Sequence, residues 1–355
     1  MRTQRIRMER TMKKRFIAFG LTLATVLSLT ACGSSADNNN ASHSNFSVGM
    51  VTNVGGINDQ SFCQSAWKGM QEFREETGAN VSYLESLQES DYASNLDKMV
   101  DGENDLVWSV GFAMADAAQN VAMTNVDQQF GIIDHDYGDA SMDNMVAIMF
   151  RAQESSFLAG YVAGLTTETD KVGFVGGIGS AILDQFEYGY RAGVAYAAKE
   201  LGKDIKVTVQ YAESFVDAAK GKGIANKMYT SGCDIVFHAA GTAGLGVIEA
   251  AKDNGKWVIG VDMDQYHVAP EVVLTSAVKR VDEVIKLVSA DYMIGETKGG
   301  QTLVYGLSDG AVGLPEENPN LSEEVYAKAM EVEKSIIAGD IEVPYNAETF
   351  EAFVK

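Results

Sequence analysis

From Phe46 onward, short apolar, β-branched runs alternate with stretches in which apolar residues recur every three or four positions. Ser47-Val-Gly-Met-Val-Thr52 reads as a strand and Ser61 to Thr77 as a helix. Strands are further predicted over Val81–Leu84, Leu106–Val110, Gly131–Asp134 and Met145–Phe150, with helices between them. The same beat returns at Lys171–Val175, Lys206–Tyr211, Asp234–Ala239 and Trp257–Val261. Apolar runs that are continuous rather than alternating belong to strands covered on both faces, as in parallel sheets. The fold class is therefore α/β, doubly wound, in two units. The roughly 310 residues from Phe46 to Lys355 are enough for two domains with their own cores.

The counts of strands on each side place the first lobe boundary at Phe150-Arg151. A return crossing is expected near Leu274–Ala277 and a third near Leu303–Gly306. That assigns 46–150 and 277–303 to one lobe, and 151–276 and 304–355 to the other.

The first 31 residues have a different character. Arg2, Arg5, Arg7, Arg10, Lys13, Lys14 and Arg15 form a basic head, followed by an apolar run from Phe16 to Leu29 and then Leu29-Thr30-Ala31-Cys32. This is the layout of a secretory signal, and the run is shorter than the roughly 20 residues of a membrane-spanning helix. Leu-Thr-Ala-Cys also fits the bacterial lipobox, so Cys32 is the expected lipidation site and residues 1–31 a cleaved leader. Residues 32–45, mostly Ser, Asn and Ala with one Asp and one His, are too polar to pack and suit a flexible tether. Acyl chains contribute about 0.8 kcal/mol per buried CH₂, enough to hold a multiply acylated Cys on a membrane.

Removing the leader sharpens the charge. It carries seven of the 28 Lys+Arg and one of the 49 Asp+Glu, which leaves 21 against 48, or −27. So acidic a body excludes nucleic acid as a partner, because phosphate binding rests on a basic footprint. Cys63 and Cys233, 170 positions apart, are expected as unpaired thiols rather than a disulfide framework.

In open α/β sheets, ligands bind beyond the carboxyl ends of the strands. After the first strand comes Asn53-Val-Gly-Gly-Ile-Asn-Asp-Gln-Ser-Phe62, where Gly55 and Gly56 permit a sharp turn and Asn58, Asp59 or Ser61 can cap the helix. Phe62 at the helix start faces either crevice or core. Asp134 ends its strand, and its carboxylate is costly to bury unless a ligand or a helix N-terminus hydrogen-bonds it. Small residues ending in Gly241 follow Phe237, which is either a cleft aromatic or a core residue. Asp262, at another strand end, is suited to accept two sugar hydroxyls, or else to form a turn or cap a helix. Lys279, where the chain should cross back, either donates to the same ligand or is a solvated lysine in a helix's first turn. Gly173-Phe-Val-Gly-Gly-Ile-Gly-Ser180 lacks both the dinucleotide-loop and the P-loop order. His43, His135, His238 and His267 show no metal-ligand spacing, and no Gly-x-Ser-x-Gly elbow appears. The sequence therefore calls for no metal, no cofactor and no catalytic set.

Gly55-Gly-Ile-Asn-Asp-Gln-Ser-Phe-Cys-Gln-Ser-Ala-Trp67-Lys-Gly69 resembles the signature of the basic membrane protein (BMP) family of substrate-binding lipoproteins, the purine nucleoside receptors of ABC importers. Further matches lie in order: Phe130–Asp134, Phe186–Gly193, Ser214–Gly221, Phe237–Gly241, Gly260–Gln265 and Thr275–Asp282. They span essentially the whole chain after the tether. The resemblance implies the type I periplasmic binding fold, with two lobes, a three-crossing hinge and ligand in the cleft. It implies a monomeric, lipid-anchored receptor on the extracytoplasmic face of the cell membrane, whose partners are a nucleoside and the permease of an importer. Phe62 and Phe237, with Phe215 in reserve, would sandwich the base. Asn53 and Asp134 would read its edge, and Asp262 would take the ribose hydroxyls with help from Gly241 and Lys279. A receptor docking to a signalling partner, or an exported nucleoside hydrolase, are the competing readings. Three residues depart from the family pattern: Asn53 stands where Asp is expected, Cys63 replaces Asn, and Thr242-Ala243 interrupts Gly-Gly-Thr-Gly.

Overall fold

The computed structural model describes residues 45–355. The expected leader and the Cys32 anchor lie outside the described residues. Among those described, no helix is long and apolar enough to cross a membrane.

Two six-stranded sheets carry the fold. The first is built from β1 (Ser47–Thr52), β2 (Asn80–Leu84), β3 (Leu106–Val110), β4 (Gln129–Ile133), β5 (Met145–Phe150) and β11 (Thr302–Tyr305), in the order β11-β5-β4-β3-β1-β2, all parallel. The second uses β6 (Lys171–Gly176), β7 (Lys206–Tyr211), β8 (Ile235–Ala239), β9 (Trp257–Asp262), β10 (Val273–Lys279) and β12 (Val312–Gly313), in the order β12-β10-β9-β8-β6-β7. Only the short β12 runs antiparallel to its neighbour. The two orders are the same, so β1 corresponds to β6, β3 to β8 and β4 to β9. Central strands such as β3 and β8 are buried at every position, whereas the edge strands β2 and β7 have no fully buried position. Continuous apolar runs thus mark the centres of the sheets.

Helices α1 (Phe62–Thr77), α2 (Tyr92–Asp101), α3 (Ala115–Thr124) and α8 (Val281–Met293) cover the first sheet. Helices α4 (Ala152–Thr166), α5 (Ala181–Leu201), α6 (Ala218–Thr230), α7 (Thr242–Asn254), α9 (Glu323–Ala338) and α10 (Ala347–Phe353) go with the second. Several pairs touch backbone to backbone through glycine. A Cβ on Gly193 of α5 would lie 2.0 Å from the Phe157 carbonyl of α4, and one on Gly246 of α7 would lie 1.8 Å from the Ala218 carbonyl of α6. In the first lobe, Gly69 of α1 meets Asp282 of α8 in the same way, at 2.2 Å.

The chain passes between sheets at Arg151, at Arg280 and at Gly306. The second passage comes later than the expected 277, because β10 stays paired with β9 and β12 to its end. The third comes at Gly306, because β11 pairs with β5 through Tyr305. The passages are tied together: Arg151 N–H donates to the Tyr305 carbonyl at 2.8 Å and Arg280 N–H to the Ala311 carbonyl at 2.7 Å. The buried Glu154 carboxylate accepts the Leu307 N–H at 2.7 Å.

Gly193→Ala would insert a methyl where backbone already sits, forcing α4 and α5 apart. A loss of about 1–3 kcal/mol is expected, seen as a lower midpoint in thermal unfolding. Gly202→Ala, where a Cβ meets nothing within 4 Å but φ is +64°, should cost only its backbone strain, about 1 kcal/mol.

Candidate functional site

A cavity of about 300 Å³ lies between the carboxyl ends of the two sheets. That volume is at the lower end of the roughly 300–1,000 Å³ of small-molecule clefts. The two lobes contribute matching positions. Asp134, just after β4, and Asp262, at the end of β9, hold φ of +67° and +62°. Backbone strain of about 1–3 kcal/mol at a non-glycine residue persists only where the surroundings enforce it. Gly111 after β3 and Gly241 after β8 are likewise left-handed, with φ of +118° and +54°.

The first lobe brings Asn53, Phe62, Phe112 and Asp134 to the cavity, and the second brings Phe186, Phe215, Gly241, Asp262 and Lys279. Asp59 caps α1. Its carboxylate accepts the N–H groups of Ser61 at 3.0 Å, Cys63 at 2.9 Å and Gln64 at 3.0 Å. Burial nonetheless holds its carboxyl above the ordinary range, against those three donors. With Asp59 as cap, the Ser61 hydroxyl is free to reach across the cleft and donate to Asp262.

The charges at the site are buried and paired between lobes. Lys279 of β10 is 1% exposed and bonds the Asp134 carboxylate. Its ammonium also lies 4.7 Å from the centre of the Phe62 ring, 5.1 Å from Phe150 and 5.8 Å from Phe186. Aromatic faces at such distances stabilise a desolvated cation. Asp262 is less well compensated. Burial pushes its carboxyl up to about 6; the Lys279 charge and the Ser61 hydroxyl oppose the rise, while the nearby Asp59 and Asp134 add to it. Gln265 Nε2 donates to the Gln60 carbonyl at 2.9 Å, and the His267 ring lies 3.0 Å from the Gln60 side-chain oxygen. On another side of the cavity, the rings of Phe112 and Phe215 meet edge to face at 6.2 Å.

Six of the seven expected ligand-binding residues therefore converge: Asn53, Phe62, Asp134, Gly241, Asp262 and Lys279. Phe237 does not. It is the third residue of β8, fully buried, with its ring 5.5 Å from Phe174 and 5.1 Å from Tyr190. The strand must run two residues further before its end meets the cleft. Phe215, in the loop between β7 and α6, lines the cavity instead. Phe112 and Phe186 were not among the expected residues. Phe112 lies two positions past the end of β3, where the strand-end rule would have found it. Phe186 sits one turn into α5 and carried no such signal. Cys63 and Cys233 are both free and buried.

Two lobes of matching strand order, three passages between them and a cavity at their facing strand ends define the type I fold of periplasmic solute-binding proteins. The chain belongs to the Bmp family, described as "ABC transporter substrate-binding protein PnrA-like", whose model matches residues 46–347. A "CD4+ T-cell-stimulating antigen" of Listeria innocua is 42% identical over 94% of this chain and 99% of its own length. Basic membrane protein A of Borreliella burgdorferi is 39% identical over 85% of this chain and 88% of its own. An ABC transporter solute-binding protein from Aeropyrum pernix K1 has a crystal structure that superposes with a TM-score of 0.78, covering 86% of this chain and 96% of that one at 26% identity. A substrate-binding role in an ABC system implies a small-molecule ligand and a permease partner.

Removing Lys279 alone would strand Asp134 as a buried, unpaired charge. Lys279→Met is expected to destabilise the protein by about 3–5 kcal/mol, and the double change Lys279→Met with Asp134→Leu to recover most of that loss. Urea unfolding of the three proteins checks both numbers.

Proposed function

We propose that the protein is the lipid-anchored receptor of an ABC importer and captures a purine nucleoside between its lobes. The observation that carries this is the cavity's composition: aromatic rings on both lobes, with buried acids and one lysine set among them. A ligand that satisfies such a site has an apolar, stackable face and several hydroxyl or ring-nitrogen groups. A nucleoside has both, whereas a plain sugar would leave the rings without a partner and a free base would leave Asp262 without one.

In this reading the base stacks on Phe62, with Phe215 as the aromatic of the opposite lobe. Stacking contributes about 1–3 kcal/mol per base. Asp262 accepts two ribose hydroxyls, Gly241 and Lys279 contribute further polar contacts, and Asn53 and Asp134 meet the base edge. Cys32 is the anchor, and the acidic body stands off the membrane on its tether. Closure of the lobes on the ligand presents a changed surface to the permease. The site is read as one for capture and release rather than for chemistry.

Two outcomes test it. Thermal unfolding of the purified protein against nucleosides, free bases, ribose and other sugars should show stabilisation by purine nucleosides, about 2.7 kcal/mol at 100 times the dissociation constant, and none by ribose. Stabilisation by sugars alone would overturn the ligand.

The second outcome is a pH dependence. Hydroxyls that donate to Asp262 favour its carboxylate, while the free carboxyl takes up a proton below about pH 6. Binding below that pH must expel the proton, so affinity should be flat above it and fall by up to about tenfold per unit below it. Asp262→Asn should lose most of the affinity and the pH dependence together. Its unliganded fold should be no less stable at pH 7, because a carboxyl raised from 3.8 to about 6 destabilises the folded state as pH rises through that interval.

A further inference from the structure

The loop after β1 bears on which base the proposed nucleoside site prefers. Asn53 Oδ1 accepts the Gly55 N–H at 2.8 Å and the Cys63 thiol at 3.4 Å. Gly55 N–H can only donate, so the atom facing it must be the amide oxygen. That contact fixes the orientation of the whole side chain, and its Nδ2 turns the other way.

Nδ2 lies over Gly111, at the carboxyl end of β3. A Cβ on Gly111 would stand 2.8 Å from Nδ2 and 3.5 Å from the Phe62 ring, so the absent side chain leaves room for the amide beside that ring. Asn53 lines the cavity, and among the described residues no hydrogen bond occupies its nitrogen. Asn53 and Cys63 are in direct contact: the Cys63 thiol is one of the two donors that engage the Asn53 oxygen. Cys63 is itself held in place by Asp59, which accepts its backbone N–H.

An amide free at both ends meets adenine in two bonds, accepting from N6–H₂ and donating to N7. With its oxygen engaged inside the loop, Asn53 keeps only donors for the ligand. Adenine then offers it N7 alone, beside an amino group that is also a donor. A 6-oxopurine offers two adjacent acceptors, N7 and O6. We infer that Asn53 is a specificity-determining residue that selects 6-oxopurine nucleosides, of the inosine and guanosine type, over adenosine. This inference rests on the proposed nucleoside site and assigns the polarity of its base-reading edge.

The substitution that isolates the effect is Asn53→Asp. One carboxylate oxygen can still accept the Gly55 N–H, while the other replaces the donor at the cavity with an acceptor of nearly the same shape. Titration calorimetry of the purified protein with inosine, guanosine and adenosine should show the 6-oxo compounds binding about tenfold or more tightly than adenosine, the scale of one well-placed base contact. Asn53→Asp should lose that preference or reverse it, with inosine affinity falling more than adenosine affinity. The unliganded unfolding midpoint of the variant serves as the control for folding. Equal binding of inosine and adenosine by the unaltered protein would overturn the inference while leaving the nucleoside site standing. So would an unchanged ratio in a folded Asn53→Asp variant. Binding of no nucleoside at all would overturn the site reading, and this inference with it.

Discussion

Charge buried between two lobes is the constraint on which this structure turns. Asp134, Asp262 and Lys279 are each at least 93% buried, and they sit where the carboxyl ends of two parallel sheets face one another. Isolated charges in such a place would cost several kcal/mol each. Asp134 and Lys279 meet that cost by pairing across the cleft, with three aromatic rings around the ammonium. Asp262 meets it only in part, through the Lys279 charge and the Ser61 hydroxyl, so burial still pushes its carboxyl up to about 6. The site thus holds one acid whose charge is only partly compensated.

The scaffold makes this arrangement possible by being rigid where it must be. Both aspartates have left-handed backbone, a strain that persists only where the surroundings enforce it. Helix pairs in both lobes close backbone to backbone on glycine, which leaves little freedom for one lobe to deform internally. The three passages at Arg151, Arg280 and Gly306 are held by backbone hydrogen bonds, Arg151 to Tyr305, Arg280 to Ala311 and Ala311 to Gly306. Specificity then falls to small loops at the strand ends. There the hydrogen bond from Gly55 fixes the orientation of the Asn53 side chain.

Much of this was legible in the sequence, for a physical reason. Strands buried on both faces must be continuously apolar, so their ends are visible as the point where polar residues resume. That located Asn53, Asp134, Gly241 and Asp262, and family resemblance agreed with each. It failed where position along the strand was not enough. Phe237 belongs to the right strand but comes two residues before its end, so its ring joins Phe174 and Tyr190 in the core. Phe215 lies in an aperiodic loop, and its place is set by packing over Gly177, a contact between segments far apart in sequence. The passage expected near Leu274–Ala277 falls inside β10, because sequence counts could not show that β12 returns to pair with it. Asp59 as the cap of α1 was one of three candidates. Only the geometry shows that choosing it releases Ser61 to bind Asp262.

The most direct measurement is a crystal structure of the protein grown with a purine nucleoside. The account expects the ligand inside the interlobe cavity, its base against the Phe62 ring and two ribose hydroxyls within hydrogen-bond distance of the Asp262 carboxylate. A nucleoside bound outside the cleft, or one whose sugar is turned away from Asp262, would contradict it.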